Sequence, residues 1–315
     1  SHLCEALLKK NKVICLDDFS NSSLDNIDYL LKDPDFEFVK ININNPFNLE
    51  DMPELDKFKI KFQGIQEIYH LACPTSAKNF DQFKLETLLA NSIGTRHILD
   101  LAVKYNSKIL FGSSSVVYGP RKGDNKIKED EWGSVNNLSP RSCYDEGKRF
   151  AETMFATYSQ IYKLDIRIAR IFRTYGPRLK LFDGQMITDF IIDALRGSDL
   201  LIYGDESFSS SLVYVGDIVD GLMKLMDAAT VSGPVNLGDE KTYLLKDVAE
   251  FIIKSLNSTS KIRFEKPLEF ITLLGLPDIS RAKDELSWFP VASLEDGLKK
   301  TIDYTVAHEK MAGLK

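Results

Sequence analysis

The stretch Lys12-Val13-Ile14-Cys15-Leu16-Asp17-Asp18 decides the fold of this 315-residue chain. Its uninterrupted apolar residues predict a buried strand, which ends in acidic residues. The segment before it, Ser1–Leu8, has the pattern of an amphipathic helix. A helix followed by a buried strand with a terminal carboxylate is typical of the second half of a dinucleotide-binding βαβ unit. Asp17 can then accept hydrogen bonds from an adenine-ribose diol, which favours NAD over NADP; an Asp here can also cap a helix or a turn.

The first half of such a unit is a strand and a Gly-rich turn, and neither is in this sequence. We therefore expect the chain to begin just after the last glycine of a Gly-x-x-Gly-x-x-Gly loop, with the preceding segment truncated or disordered. Ser1-His2 can alternatively be read as the remnant of a tag. An intact mass equal to that of the 315 residues would exclude the disordered segment.

Strands and helices alternate beyond this unit. The predicted strands are Phe36–Ile43, Glu67–Ala72, Lys108–Ser113 and Asp165–Phe172, and the predicted helices are Phe83–Tyr105 and Tyr144–Tyr162. This rhythm predicts an α/β fold with a doubly wound, Rossmann-type parallel sheet, whose ligands bind at the carboxyl ends of the strands. The polar tract Gly119–Leu138 is expected to be a surface loop at the lip of that site.

The pattern loosens after Tyr175 and predicts a smaller, mixed α/β lobe that faces the substrate. Its predicted elements are helix Gln185–Arg196, strand Leu200–Tyr203, helix Ile218–Ala228, strand Pro234–Leu237, and helices Leu245–Ser255, Ser280–Leu286 and Leu294–Tyr304. We assign residues 1–174 and 212–240 to the dinucleotide-binding domain, and residues 175–211 and 241–315 to the substrate lobe.

The composition excludes several classes of protein. A formal net charge of −6 and a pI near 5.4 argue against a nucleic-acid or anionic-membrane partner. No apolar run approaches the roughly 18 residues of a membrane span, and no signal-peptide pattern is present. The four cysteines are far apart, which favours reduced thiols in a cytoplasmic protein. Neither they nor the four histidines have the spacing of metal ligands, so we expect no metal site.

Tyr144 and Lys148 are the candidate catalytic pair. Four residues apart on a helix, they share one face with Cβ atoms about 5–6 Å apart. A neighbouring ammonium is expected to lower the pKa of the phenol from its usual value near 10 and so allow proton transfer. Ser114, at the end of a predicted central strand, faces the same cleft. Any amphipathic helix can carry the Tyr–Lys spacing, and a strand-end Ser can simply satisfy a local turn.

Ser114, Tyr144 and Lys148, with the upstream nucleotide half-site, resemble the extended short-chain dehydrogenase/reductase superfamily. Further segments carry the resemblance over nearly the whole chain: His70–Ser76, Asn91–Thr95, Pro140–Arg149, Ile168–Arg178, Tyr214–Asp217, Asn236–Gly238 and Leu276–Lys283. The runs Ala72-Cys73-Pro74-Thr75-Ser76 and Pro140–Arg149 are similar to those of the UDP-glucuronate decarboxylase subgroup, which makes UDP-xylose.

The resemblance implies a role for each matching residue. Tyr144 takes the proton of the sugar O4, Lys148 tunes it and holds the nicotinamide ribose, and Ser114 hydrogen-bonds O4. The residues implied to bind NAD are Asp17, Asn42, Ile43, Leu71, Ala72, Pro74, Asn91, Ser113, Tyr144 and Lys148. Those implied to bind the nucleotide sugar, a UDP-sugar by resemblance, are Thr75, Ser115, Val116, Arg173, Thr174, Arg178, Tyr203 and Ser210. A homodimer through the helices Phe83–Tyr105 and Tyr144–Tyr162 is implied as well.

The chain departs from the subgroup at four places. Val116 replaces a Glu, Arg173 replaces an Asn, Ser210 replaces an Arg, and the apolar run Leu273–Leu276 replaces an Arg pair. A Val cannot move a proton, and a Ser cannot hold an anion bidentately. Losing one charged hydrogen bond to a buried anion costs on the order of 2–5 kcal/mol. Arg173 can restore one positive charge from another direction.

Three functions are consistent with these observations. The leading hypothesis is an NAD-dependent UDP-glucuronate decarboxylase that acts through a 4-keto sugar, in which the ketone activates the loss of CO₂. A nucleotide-sugar 4-epimerase or 4,6-dehydratase is the second, and Val116 disfavours the dehydratase, which needs an acid there. The third is a non-catalytic relative that binds a sugar nucleotide or a partner subunit, favoured by the changed anion contacts and opposed by the intact Ser114, Tyr144 and Lys148.

Overall fold

Strands and helices alternate along the computed structural model, which describes residues 1–75, 80–231, 233–266 and 273–311. The strands are β1 (Val13–Asp17), β2 (Phe36–Lys40), β3 (Glu67–His70), β4 (Lys108–Ser114), β5 (Lys126–Ile127), β6 (Ile166–Ile171), β7 (Thr174–Tyr175), β8 (Leu200–Tyr203), β9 (Ser209–Ser210), β10 (Val213–Tyr214), β11 (Val235–Leu237), β12 (Tyr243–Leu244), β13 (Ile262–Glu265) and β14 (Leu276–Pro277). The α-helices are α1 (His2–Leu8), α2 (Ile60–Gln63), α3 (Lys84–Leu89), α4 (Thr95–Tyr105), α5 (Ser142–Tyr162), α6 (Met186–Arg196), α7 (Val215–Asp227), α8 (Leu245–Ser255), α9 (Ser280–Leu286) and α10 (Leu294–Met311). Most predicted elements are present, with ends shifted by a few residues; the last helix continues seven residues beyond its predicted end at Tyr304.

The central sheet is parallel and has the order β11-β6-β4-β3. Beside it, β1 and β2 form a separate parallel pair, in which Val13 is opposite Phe36 and Asp17 is opposite Lys40. Parallel strands joined through helices form the doubly wound arrangement that the alternating pattern predicted.

Helices cover both faces of the central sheet because successive side chains of a strand point to opposite sides. From β4, Ile109 and Phe111 pack against α4 and α5, whereas Leu110 packs against α7. Each of these three side chains is fully buried, and such burial stabilises the fold by roughly 1.5–3 kcal/mol per large apolar side chain. The ends of the strands are thereby held rigidly, and the polar residues that come after them are fixed in position.

The predicted single helix from Phe83 to Tyr105 is interrupted. Residues Ala90–Gly94 form a π-helical turn between α3 and α4. The hydroxyl of Thr95 donates to the carbonyl of Ala90 over 2.9 Å and lies 3.0 Å from Nε2 of His70. Because the Thr95 hydrogen is used by Ala90, the histidine nitrogen is the donor to Thr95. The wider turn is therefore anchored to the end of β3.

A second core lies in the later part of the chain. Helices α6, α8 and α10 surround the strand β8, and their apolar residues, among them Phe190, Ile202, Val248 and Leu298, are buried together. This cluster draws on residues from Tyr175 to Leu212 and from Leu245 to Val306, but the domain boundaries themselves stay a prediction.

The tract Gly119–Leu138 is only partly the surface loop that was expected. Trp132 and Leu138 are exposed, but Glu129 is buried and accepts a hydrogen bond from the backbone amide of Asn236 over 2.9 Å. The short strand β5 pairs with β14, so this tract is fastened to the C-terminal part of the chain. The polar and charged composition of the tract predicted a surface loop and gave no sign of the buried contact between Glu129 and Asn236. Within the described ranges, no helix is long and apolar enough to cross a membrane, and no His, Cys, Asp and Glu residues group as metal ligands.

Candidate active site

Ser114 and Tyr144 meet at the carboxyl end of β4. Ser114 is the last residue of β4, and the chain turns directly after it into a single 3₁₀ turn, Ser115–Tyr118. The Ser114 oxygen accepts a hydrogen bond from the amide of Val116 over 3.4 Å, which fixes its position. The Ser114 hydroxyl is close enough to the Tyr144 phenol to lower its pKa as a hydrogen-bond partner, because the first turn of α5 faces this strand end. The structure therefore brings together the two hydroxyl groups that the sequence placed in one cleft.

The pKa of Tyr144 is changed in the direction opposite to the sequence prediction. Burial raises the pKa of its phenol to about 12, while the hydrogen bond with Ser114 and the Arg141 guanidinium act to lower it. Desolvation disfavours the phenolate, and here it outweighs both of these groups. The guanidinium carbon of Arg141 lies 5.6 Å from the centre of the Tyr144 ring. The nearby positive charge that lowers this pKa thus comes from Arg141 in place of Lys148.

Lys148 is buried below the tyrosine. Its ammonium donates to the carbonyl of Gly112 over 2.9 Å and lies 4.6 Å from the centre of the Phe111 ring. The distance from the ammonium to the centre of the Tyr144 ring is 5.8 Å. Burial lowers the pKa of Lys148, and the charges of Cys73 and Glu152 act to raise it. This ammonium is therefore held by the carbonyl of Gly112 and lies closer to the Phe111 ring than to the Tyr144 ring.

Asp17 retains a free acceptor in the part of the chain that the structure describes. Its Oδ1 accepts from the amide of Phe19 over 2.8 Å and from the hydroxyl of Ser22 over 2.7 Å, whereas its Oδ2 has no such partner. Asp17 thus forms a local turn, while Oδ2 leaves the contact with an adenine-ribose diol as a prediction. The side-chain oxygen of Asn42 accepts a hydrogen bond from the amide of Asn44, which forms a turn, and Ile43 packs into the core. The contact of Asn42 and Ile43 with the cofactor stays a prediction.

The residues after β3 lie close to this region. Leu71, Ala72 and Thr75 are exposed, and Pro74 is half-buried; Ser76 lies outside the described residues. Asn91 is buried, and its amide nitrogen donates to the carbonyl of Thr87 and to the Cys73 sulfur over 2.9 and 3.1 Å. A cofactor contact was expected from this side chain, but its donor already joins the π-helical turn to the segment after β3.

The Ser113 hydroxyl is engaged within the protein, and its predicted contact with the cofactor stays a prediction. Its hydroxyl donates to Glu152 over 2.5 Å, and Glu152 in turn forms an ion pair with Arg170 at 2.8 Å. Successive residues of a strand point to opposite faces, so only one of Ser113 and Ser114 can face Tyr144. Ser113 instead belongs to a buried network that stabilises the centre of the sheet.

The residues predicted to bind the sugar nucleotide are dispersed. Ser115 and Val116 are buried in the 3₁₀ turn, and the Ser115 hydroxyl has no partner among the described residues. Thr174 donates back to the carbonyl of Phe172 over 2.9 Å. Tyr203 ends β8, and Ser210 lies on β9 with its hydroxyl turned to the carbonyl of Ser211.

The guanidinium of Arg178 is engaged by the N-terminal part of the chain. It forms an ion pair with Glu5 of α1 at 2.7 Å and stacks over the ring of Tyr29 at 5.1 Å. The left-handed backbone of Arg178, with φ of 66°, orients it towards α1. Its partners are distant in sequence, so the motif alone could not reveal this contact.

Sequence reasoning missed Arg141 and Cys73 as neighbours of the site. Cys73 is close enough to Tyr144 and Lys148 for its charge to affect the pKa of each. The spacing of three residues between Arg141 and Tyr144, which places both on one helix face, could have revealed the first of these. The position of Cys73 depends on the packing between β3 and α5 and has no local signal.

A parallel sheet covered by helices, with Ser, Tyr and Lys at its carboxyl edge, defines a nucleotide-binding enzyme of the dehydrogenase/reductase type. A family profile described as "GDP-mannose 4,6 dehydratase" matches residues 1–301. The chain belongs to this family of extended short-chain dehydrogenases/reductases, as the resemblance of its motifs predicted.

Relatives and solved structures agree with this assignment. The chain is 37% identical over 303 residues to UDP-glucuronic acid decarboxylase 5 of Arabidopsis thaliana, covering 95% of this chain and 83% of the relative. It is 36% identical over 305 residues to UDP-glucuronic acid decarboxylase 1 of Danio rerio, covering 96% and 69%. A mutant UDP-glucuronic acid 4-epimerase from Bacillus cereus, solved in complex with UDP-4-deoxy-4-fluoro-glucuronic acid and NAD, has a TM-score of 0.82 and 25% identity. That alignment covers 98% of this chain and 95% of the epimerase.

Proposed function

We propose that this protein is an NAD-dependent enzyme that decarboxylates UDP-glucuronate to UDP-xylose through a 4-keto sugar. The observation that carries the proposal is the Ser114–Tyr144 pair, with Lys148 beneath it, in a chain that is 36–37% identical to two UDP-glucuronic acid decarboxylases. The free Oδ2 of Asp17 and the buried ammonium of Lys148 fit the two ribose groups of NAD.

When bound, NAD supplies the acceptor for the C4 hydrogen of the sugar and returns it at the end. Tyr144 and Ser114 hold the sugar O4, and Tyr144 receives its proton. The raised pKa of Tyr144 means that the free protein keeps this phenol protonated. A bound ligand must lower that pKa further before the phenol can act as a base.

The loss of CO₂ needs little help from the protein. With a ketone at C4, the bond between C5 and the carboxylate breaks and its electron pair moves into the enolate, which a proton then quenches at C5. Because the ketone takes the electrons, an acid at position 116 is not essential, and Val116 is compatible with this reaction.

A 4-epimerase is the second candidate. The buried, apolar Val116 beside Ser114 favours it, because hydride removal and return at C4 need no further acid, whereas a 4,6-dehydratase does. The similarity to the solved UDP-glucuronic acid 4-epimerase supports the same candidate. Both candidates share Tyr144 and the 4-keto sugar, and they differ in whether that ketone loses CO₂ or is reduced again from its other face.

Product analysis separates the candidates. The protein is incubated with UDP-glucuronate and NAD⁺, and CO₂ and nucleotide sugars are measured by gas trapping and NMR. Release of CO₂ with a UDP-pentose supports the decarboxylase, and UDP-galacturonate without CO₂ supports the epimerase. Tyr144→Phe should abolish either product, and turnover by that variant would contradict both proposals.

We further propose a homodimer formed through α3, α4 and α5. The support is a set of exposed apolar side chains on these helices and the turn between them: Leu85, Leu88, Ile93, Phe150 and Ile161. Several exposed apolar side chains on neighbouring helices are typical of a protein interface. Phe150→Glu combined with Leu85→Glu should convert the dimer to a monomer in light scattering, whereas Phe62→Glu, at an exposed apolar residue on α2, should leave it dimeric. A monomeric wild-type protein would refute the proposal.

A further inference from the structure

Arg173 is an arginine without an acidic partner in the described chain. It comes after β6, and its carbonyl accepts from the amide of Val213 over 3.0 Å, which fixes the backbone. The polar contact of its side chain is with the Met186 sulfur, 3.9 Å from Nη1. A sulfur is a weak acceptor and leaves most of the five guanidinium donors unsatisfied. None of these donors is among the buried polar atoms that lack a partner in the described residues, so they are open to solvent or to a ligand that carries negative charge.

A second guanidinium lies close by. Ile171, two residues before Arg173, lies opposite Ser114 in the register of β4 and β6, so Arg173 follows the strand end next to the candidate site. Arg141 acts to lower the pKa of Arg173 further, after the larger effect of burial. Arg141 pairs with Asp145 at 3.4 Å, and burial raises the pKa of that carboxyl. Asp145 therefore compensates Arg141 and leaves the charge of Arg173 unbalanced beside the active site. Like charges in such proximity repel unless an anion joins them.

The position of Arg141 identifies which part of a nucleotide sugar it would meet. Its guanidinium lies over the ring of Tyr144, whose hydroxyl has Ser114 as a hydrogen-bond partner. In the proposed reaction these hydroxyl groups hold O4 of the sugar. The carboxylate of a uronate is attached to C5, next to C4, whereas the diphosphate is attached to C1 across the ring. The anion closest to Tyr144 is consequently the carboxylate.

We infer that Arg173 and Arg141 form a subsite for the sugar carboxylate, which makes the protein selective for a nucleotide-linked uronate over the neutral hexose. This inference rests on the proposed function for the position of O4. Arginine suits the role because its planar donors match a carboxylate in a bidentate manner. Arg173, which follows the end of β6, thus determines the preference for the uronate over the neutral hexose.

Binding measurements without added cofactor test this subsite apart from turnover. Titration calorimetry with UDP-glucuronate, UDP-glucose and UDP is compared for the wild type, Arg173→Gln and Arg173→Lys. The wild type should bind UDP-glucuronate more tightly than UDP-glucose, and Arg173→Gln should reduce that preference about 10- to 100-fold, as expected for a charged hydrogen bond. UDP affinity should stay unchanged, and Arg173→Lys should restore part of the preference. Arg263→Gln, which removes an exposed arginine on β13, is the matched control and should behave as the wild type.

Each other result has a defined meaning. Equal weakening of all three ligands in Arg173→Gln would assign the residue to the diphosphate or to the fold and overturn the inference. A wild type without preference for the uronate would overturn it too, even if CO₂ is released. A preference that depends on Arg173 in a protein that releases no CO₂ would leave the subsite intact and refute the decarboxylase.

Discussion

Tyr144 is the residue on which the proposed chemistry depends, and Ser114 is its main side-chain partner. The hydrogen bond from Ser114 stabilises the phenolate and lowers a pKa that burial has raised to about 12. A variant without that hydroxyl should therefore have a still higher pKa at Tyr144, and the active, deprotonated form should be reached only at higher pH.

We predict that Ser114→Ala shifts the rise of kcat/KM with pH to higher pH and lowers the rate at neutral pH by about 10²–10⁴-fold, the contribution typical of acid–base catalysis. The measurement is a pH–rate profile with UDP-glucuronate. Thr157→Ala is the control, since it removes a hydroxyl from an exposed residue of α5, the helix that carries Tyr144. An unshifted profile in Ser114→Ala would show that another group controls Tyr144.

His70 should make stability depend on pH. Burial and the charge of Lys148 lower its pKa to about 3, from an ordinary value of 6.5. The folded protein keeps this imidazole neutral while the unfolded chain protonates it below pH 6.5, so its contribution to stability is lost as the pH falls from 6.5 towards 3.

Between pH 7 and pH 5 this one group should lower the free energy of unfolding by about 2 kcal/mol. Urea unfolding of the wild type and of His70→Gln at the two pH values measures the effect. The variant is expected to be less stable at pH 7 but to lose less stability on acidification. Equal losses in both proteins would mean that other groups cause the dependence.

Among individual residues, the sequence drew attention to Tyr144, Lys148 and Ser114 but did not predict the direction in which the pKa of Tyr144 is shifted. A spacing places two side chains on one helix face, yet the pKa depends on burial and on Arg141, which only the packed structure defines. The ion pair of Arg178 was likewise not predictable, because its partner Glu5 is 173 residues away along the chain.

Among the elements, the π-helical turn between α3 and α4 is the one that the sequence did not predict. An apolar periodicity over Phe83–Tyr105 predicts a helix but does not distinguish a turn widened by one residue. The Thr95 hydroxyl compensates for that widening, since it satisfies the carbonyl of Ala90 and receives the hydrogen of His70.

Thr95→Val should consequently destabilise the protein by about 1–3 kcal/mol, because it leaves the buried Nε2 of His70 without a partner, while the Ala90 carbonyl keeps the backbone amide of residue 95 as its donor. Chemical unfolding followed by circular dichroism gives the value. Thr95→Ser, which keeps the hydroxyl and loses a methyl group, should cost less. If the two variants were equally destabilised, the hydrogen bonds would not be the cause.

The strands were predicted more reliably than the helix interruption. Val13–Asp17 and Lys108–Ser114 are short apolar runs that end in polar residues, and such runs have few alternatives in an α/β pattern. Their ends, where the site residues stand, were correct to within one residue for these two strands.

For the whole molecule, Asp217 joins α7 to the segment that leads into α10. Its two carboxylate oxygens accept from the amides of Val291 and Ala292, each over 3.1 Å, and its carbonyl accepts from the buried indole of Trp288 over 3.0 Å. The motif Tyr214–Asp217 drew attention to this residue, but its partners lie more than 70 residues later and could not be read from it.

Asp217→Asn keeps one acceptor and should lower the free energy of unfolding by about 1–3 kcal/mol. Trp288 is fully buried and Trp132 almost fully exposed, so fluorescence in a Trp132→Phe background reports on Trp288 during urea unfolding. Asp220→Asn, at an exposed ion-pair residue on the same helix, should change stability by less than about 0.5 kcal/mol. A comparable loss in both variants would contradict a specific role for Asp217.

The strands β1 and β3 each have one side without a neighbouring strand in the described part of the chain. Within the described residues, β1 has a ladder partner only in β2, and β3 only in β4. The amide of Val13 points towards β2 and that of Lys108 towards β3, so the alternating amides of Ile14, Leu16 and Tyr69 lie on the outer sides. In heavy water these three should take up deuterium well before the amides of Leu110 and Phe111, whose strand is bordered on both sides. Faster deuterium uptake at these amides would then show that β1 and β3 open locally more often than β4, the strand that ends at Ser114.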